Sequence, residues 1–252
     1  MKHRCRISID LIGVHTLWML KDLLRQPAYV VSTLAFPVLF YLIFAVPEST
    51  TMESSNYLMA SFSAFAVFGV LFLQFGVSQA QERSHTWYRF IKSLPVSASD
   101  LLFARFMTAQ VFAVLTVLLI VLAAHLWTKA QLNSREWIEF TLILFAPGLS
   151  FCAMGMALGL WTNERTSLPV GNLIYLPLSF LGGLWKPPEI LPERLQKISE
   201  VLPTRLYGDM LWSIVKKEDF PWSSLWGLSL WTVLFGALIL LGLRRDFERS
   251  KA

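Results

Sequence analysis

Six apolar runs occupy most of the 252-residue chain, at Ala28–Val46, Tyr57–Ala80, Phe106–Trp127, Phe140–Trp161, Leu168–Trp185 and Leu225–Leu243. Each holds 18 to 24 residues and none contains Asp, Glu, Lys or Arg. A helix rises about 1.5 Å per residue, so every run is long enough for a hydrocarbon core about 30 Å thick. A charge at mid-bilayer costs at least about 2.5–3.5 kcal/mol. The runs therefore predict six transmembrane helices in an all-α integral membrane protein.

Charge sets the expected orientation. With the N-terminus in the cytoplasm, the inner segments carry fourteen Lys and Arg and the outer ones eight. The inner side is then +7 and the outer side −2, as the positive-inside rule asks. Both termini are expected in the cytoplasm, at a bacterial-type cytoplasmic (plasma) membrane. The net charge of +5 reads as a topology signal, aided by anionic lipid, and requires no nucleic acid. Cys5 and Cys152 fall in an inner tail and in mid-span, so no disulfide framework is expected.

Between the runs lie three informative segments. Residues 7–25 place Ile7, Leu11, Val14 and Trp18 at helical spacing, the pattern of an interfacial helix. Residues 81–105 predict a short amphipathic helix over Ser84–Leu94, ended by Pro95, before Ser97 and Asp100 cap the next helix. Residues 186–224 contain Pro187, Pro188, Pro192 and Pro203 around two short apolar stripes. One is Leu191, Leu195, Ile198 and Leu202; the other is Leu206, Met210 and Ile214. Neither is long enough to cross, and the expectation is a broken helix pair dipping into the outer leaflet, with an extracellular cap as the alternative. Pro37, Pro147, Pro169 and Pro177 inside the runs predict kinks.

Catalytic constellations are absent. The four His are scattered, there is no HExxH or CxxC, and no Gly precedes Lys as a GxxxxGK[ST] loop requires. Chargeless spans also lack an evident proton or ion relay. Two aromatic stripes stand out instead. Phe62, Phe65, Phe68, Phe72 and Phe75 share one face of span two, and Phe36, Phe40 and Phe44 repeat every four residues in span one. Such stripes ordinarily meet lipid or neighbouring helices. The sharper expectation is an aromatic wall along the path of a lipophilic solute, built from Phe36, Phe40, Phe62, Phe65, Phe68 and Phe72. Gly155 and Gly159 form a GxxxG in span four, a helix-packing motif.

The order of parts resembles a known family. An N-terminal amphipathic helix precedes six spans. Glu82-Arg83 follows span two and leads to Ser93-Leu94-Pro95-Val96-Ser97. Phe180-Leu181-Gly182-Gly183-Leu184-Trp185 then precedes Pro187-Pro188, Leu191-Pro192, Leu195-Gln196 and Leu202-Pro203. Over nearly its whole length the chain resembles the membrane subunit of ABC-2 type (type V) ABC exporters. The resemblance implies a single permease domain over residues 1–252. Residues 1–27 would form its cytoplasmic interfacial helix, 28–243 its six-span bundle and 244–252 its tail. It implies two such subunits, identical or paired with a sibling, working with separate ABC ATPase chains that bind ATP and Mg, while this chain binds no cofactor or metal. The helix near Ser84–Leu94 would be the coupling helix, with Trp87, Arg89 and Lys92 as contacts, Glu82 and Arg83 at its base, and Glu164 and Arg165 as a secondary contact. The outer helices of 187–215 would be re-entrant. The implied cargo is a drug, antibiotic or lipid moved outward. A non-transporting membrane scaffold, or an ion or haem exporter subunit, is the alternative reading.

Overall fold

The structure is a computed structural model describing the backbone of residues 9–84 and 98–249, with side chains over 11–83 and 100–245. The expected coupling helix falls outside these residues for all but its first position. Among the described residues every regular element is helical. We number them α1 (Ile9–Leu24), α2 (Pro27–Glu48), α3 (Met52–Arg83), α4 (Ala98–Trp127), α5 (Ser134–Phe145), α6 (Leu149–Trp161), α7 (Ser167–Leu181), α8 (Glu193–Ser199), α9 (Pro203–Lys216) and α10 (Trp222–Arg249).

Five stretches are long and apolar enough to span a membrane: α2, α3, most of α4, α5 with α6, and most of α10. The fifth apolar run forms only the 15 residues of α7, about 22 Å of helix. Gly182-Gly183 stops it, because Gly183 takes φ +79°, a left-handed conformation that ends helices.

Local breaks follow from sequence. Pro37 supplies no N–H to the Thr33 carbonyl one turn back, and the Thr116 hydroxyl stands 3.5 Å from that oxygen. The turn at Val31–Ala35 is widened to a π-helix, as are Tyr41–Ala45 and Gly69–Gln74. Pro147 separates α5 from α6 in the same way. The break leaves the Leu144 carbonyl to accept from the Tyr207 hydroxyl.

Helix α3 is the axis of the bundle. Its apolar window is 94% buried, against 22% for α2 and 17% for α10. Small residues let α6 approach it. A Cβ on Gly155 would stand 2.7 Å from the Phe72 carbonyl, and one on Gly76 would stand 2.7 Å from the Gly155 carbonyl. The GxxxG of span four is thus a packing seam within the chain.

Helices α8 and α9 fold back into the bundle. Thr204 Oγ1 donates to the Leu178 carbonyl at 2.6 Å, and Ser199 Oγ donates to that of Leu181. Both oxygens lie in the last turn of α7, where the Leu178 carbonyl also accepts from the Gly182 N–H. Trp231 Nε1 donates to the Val201 carbonyl at 2.8 Å, and Trp212 Nε1 to Ser61 Oγ at 2.8 Å. Tyr207, Met210 and Leu211 are completely buried. Leu144 lies ten residues from the start of α5 and Trp231 nine from the start of α10. The turn between α8 and α9 therefore sits about 14 Å below the ends of those helices. Helix α9 then climbs back until Lys217, at φ 60°, ends it, 3.4 Å from Glu136 at the first turn of α5.

Candidate functional site

One end of the bundle, here called basal, gathers α1, the last turn of α3, the first turns of α4, the α6–α7 turn and the end of α10. The Glu82 carboxylate pairs with the Arg105 guanidinium across α3 and α4. Arg83 Nη1 donates to the Gly159 carbonyl of α6 at 2.8 Å. Two consecutive side chains thus tie the end of α3 to both neighbours. They lie just before residues 85–97, and Arg105 lies just after them. The helices on either side of that segment, α3 and α4, are thus tied to each other, and α3 to α6.

The burial of this junction is uneven. The Arg105 side chain is 10% exposed and that of Glu82 43%. Gln79 Oε1, Asp100 Oδ1 and Arg105 Nε are buried without a hydrogen-bond partner. Beside them a cavity of about 60 Å³ is lined by Asp22, Tyr29, Ser78, Glu82, Arg105 and Thr108, among others. Met19, Leu23, Phe75 and Ala109 complete its lining, and its volume has room for a water or two beside the polar groups.

Glu164 and Arg165 are exposed at the same end. Their turn is set by Asn163, whose Oδ1 accepts from the backbone N–H of Arg165 at 3.1 Å and of Thr166 at 3.0 Å. Trp161 closes the corner: its Nε1 donates to the Leu238 carbonyl at 3.0 Å, and the Arg245 guanidinium lies 5.4 Å from its ring. Of the residues expected for ATPase coupling, Glu82, Arg83, Glu164 and Arg165 therefore share the basal end. Trp87, Arg89 and Lys92 lie outside the described residues. Arg105 escaped the sequence reading. The available signal was a lone arginine set against the first residue of an apolar run.

The aromatic stripes divide. Phe62, Phe65, Phe68 and Phe72 have no exposed surface. Phe36 is 42% exposed and Phe40 half-buried. The rings still form one array: Phe36 to Phe40 at 4.4 Å, Phe40 to Phe65 at 5.9 Å and Phe68 to Phe72 at 5.2 Å between centroids. Trp185 joins it at 5.7 Å from Phe40, with Phe180 at 6.1 Å beyond. Among the described residues no group of His, Cys, Asp and Glu could hold a metal ion.

Comparison with known proteins adds the following. The family model described as ABC-2 type transporter matches residues 12–216. The "Putative transport permease YvfS" of Bacillus subtilis is 30% identical over 222 residues, covering 86% of this chain and 90% of that protein. The "Probable multidrug ABC transporter permease YbhR" of Escherichia coli K12 is 27% identical over 132 residues, half of this chain and 35% of that protein. The match thus spans about a third of YbhR's length. No solved structure matches the chain.

Proposed function

This chain belongs to the ABC-2 type transporter family, and on that premise we propose that it is the permease subunit of an ATP-driven exporter. It moves an amphipathic or lipophilic compound, a drug, antibiotic or lipid, across the cytoplasmic membrane. Two permease subunits work with separate ABC ATPase chains, which bind ATP and Mg and carry out hydrolysis. The basal end is cytosolic and both termini lie there. All six apolar runs cross as one domain over residues 1–252, the run containing α7 being completed by residues up to Trp185, while α8 and α9 form a re-entrant pair in the outer leaflet. The depth of the α8–α9 turn supports that arrangement.

The junction of Glu82 with Arg105 and of Arg83 with Gly159 carries this reading. A lever must be stiff at its root. If residues 84–94 seat in a groove of the ATPase through Trp87, Arg89 and Lys92, closure of the ATPase dimer moves α3, α4 and α6 together. Glu164 and Arg165 add a second contact beside them. ATP biases the protein only through different affinities for its two states. The solute path runs along exposed Phe36 and half-buried Phe40, with Phe62, Phe65, Phe68 and Phe72 backing them as an aromatic wall.

Co-purification with the ATPase tests the docking claim. The double substitution Arg89→Glu and Lys92→Glu should abolish association and solute-stimulated ATP hydrolysis while the permease remains in the membrane. Undiminished association would refute it.

A further inference from the structure

A groove runs between the α8–α9 turn and α10 on the outer surface of the bundle. It encloses about 690 Å³, the size of a small-molecule site. Val201 and Leu206 form one wall, and Leu230, Trp231, Leu234 and Ala237 the other. Gly227 lets the walls meet, since a Cβ there would stand 2.8 Å from Leu206 Cδ1. The Trp231 N–H is taken by the Val201 carbonyl at 2.8 Å, so the indole is an apolar wall. One charged residue completes the lining, Glu200. It is exposed, and among the described residues it makes no ion pair. Lys197, three residues earlier on α8, is exposed too and does not pair with it.

The depth of this carboxylate makes it informative. Val201, the next residue, is bonded to Trp231, which lies six residues inside the Leu225–Leu243 run. On a helix that is about 9 Å below the outer end of the run. Ser199, the preceding residue, is bonded to Leu181, which also lies short of the outer end of its own run at Trp185. Both neighbours of Glu200 are thus held inside the apolar layer. Lys and Arg side chains at such a depth reach back to the boundary, but glutamate is shorter. An ionisable group within a membrane marks a functional site whose partner is a charge of opposite sign. Here the protein supplies none, and the apolar groove starts at the carboxylate.

We propose that this groove is a binding site for a lipophilic amine, a cationic head on a long apolar body. The ammonium meets Glu200, and the body lies along Leu206, Leu230 and Leu234. An aminophospholipid carries the same ammonium, but holds it at the headgroup level, outside the hydrocarbon. A single-chain amine can bring it down to Glu200. The proposal goes beyond the permease reading by giving the ligand a charge and a seat that shares no residue with the Phe36 and Phe40 surface. It rests on that reading only for the depth of the α8–α9 turn.

The test is photolabelling of the full-length protein in phosphatidylcholine vesicles, with no ATPase and no flux needed. One probe is a diazirine-bearing long-chain primary amine; the other is the alcohol of the same chain. The amine should mark peptides holding Val201–Leu206 and Gly227–Ala237. Glu200→Gln, isosteric at an exposed position and so neutral for folding, should lower amine labelling roughly tenfold or more, the worth of one hydrogen bond to a charged group. Alcohol labelling should not change. Glu200→Asp should keep most of the amine labelling, and Ala237→Phe, which fills the groove, should block it. Amine labelling indifferent to Glu200→Gln would overturn the proposal. So would displacement of the amine by added phosphatidylethanolamine, which would give the groove to ordinary lipid. Efficient disulfide formation between two chains carrying Val233→Cys would also overturn it, making the groove a helix–helix contact. Failure of the depth reading shows separately: Glu200→Cys reacting with a charged, membrane-impermeant thiol reagent as fast as Glu53→Cys in the α2–α3 loop region would put the turn in water and remove the basis of the proposal.

Discussion

The ion pair of Glu82 and Arg105 can be tested apart from transport. Its two members are unequally buried, 43% and 10% exposed at the side chain, so the two neutralising substitutions should not cost the same. Two unit charges about 4 Å apart attract by about 4 kcal/mol at an effective dielectric of 20. Solvent at the Glu82 side screens that value toward the range of surface pairs, so the net coupling should be about 1–2 kcal/mol. Glu82→Gln strands a buried guanidinium, whose Nε already lacks a partner, and should cost about 2–3 kcal/mol. Arg105→Gln leaves a carboxylate that can turn to water and should cost about 1 kcal/mol. For a chain of this size, 1 kcal/mol moves the melting temperature by about 2–4 °C. Thermal unfolding of the purified permease in detergent should therefore show Glu82→Gln falling further than Arg105→Gln. The double variant should fall less than the two losses added together. Equal losses, or full additivity in the double variant, would refute the idea that this pair locks the end of α3 to α4.

Two further outcomes follow from packing. Gly155→Val should prevent accumulation of folded protein in the membrane, because its side chain would enter the space of the Leu71 and Phe72 carbonyls and backbone cannot yield; Gly236→Ala, with nothing within 4 Å of the new carbon, is the silent control. Tyr207→Phe removes the hydroxyl that serves the Leu144 carbonyl at the Pro147 break and should cost about 1–3 kcal/mol, read as a melting shift.

Length and the absence of charge made the spans legible in the sequence, since those two properties alone decide what a bilayer accepts. The end of α7 at Leu181, before the fifth run finishes, was legible too, in Gly182-Gly183. What each span faces was harder to read. In water an apolar stripe points to the core, but in lipid both surfaces of a helix can be apolar. The phenylalanines of α3 and the leucines of α10 therefore look alike in sequence, although Phe65 is fully buried and Leu230 is 72% exposed. The distinguishing sign lies between the phenylalanines. Helix α3 also carries Ser55, Asn56, Ser61, Ser63 and Gln79, all buried. Asn56 makes two bonds to the backbone of Gln131, at 2.9 and 2.8 Å, and Ser61 accepts from Trp212. Such side chains require protein partners, so a span rich in them belongs at the axis.

The basal junction resisted sequence reading for a different reason. Glu82 and Arg105 are 23 positions apart, and whether they meet depends on the rotation of two helices about their own axes. Packing sets that rotation. Gly76, Gly155 and Gly159 fix α3 against α6, which brings Arg83 to the Gly159 carbonyl. Glu82 projects about 100° around the helix from Arg83, toward α4. The small-residue seam and the ion pair are therefore one device. A substitution that rotates α3 at Gly155 should also separate Glu82 from Arg105, even though the two sites lie several turns apart. In the double variant Gly155→Ala with Glu82→Gln, loss of the pair should then cost less than it does in the parent protein. An unchanged cost would mean that the seam does not set the pair.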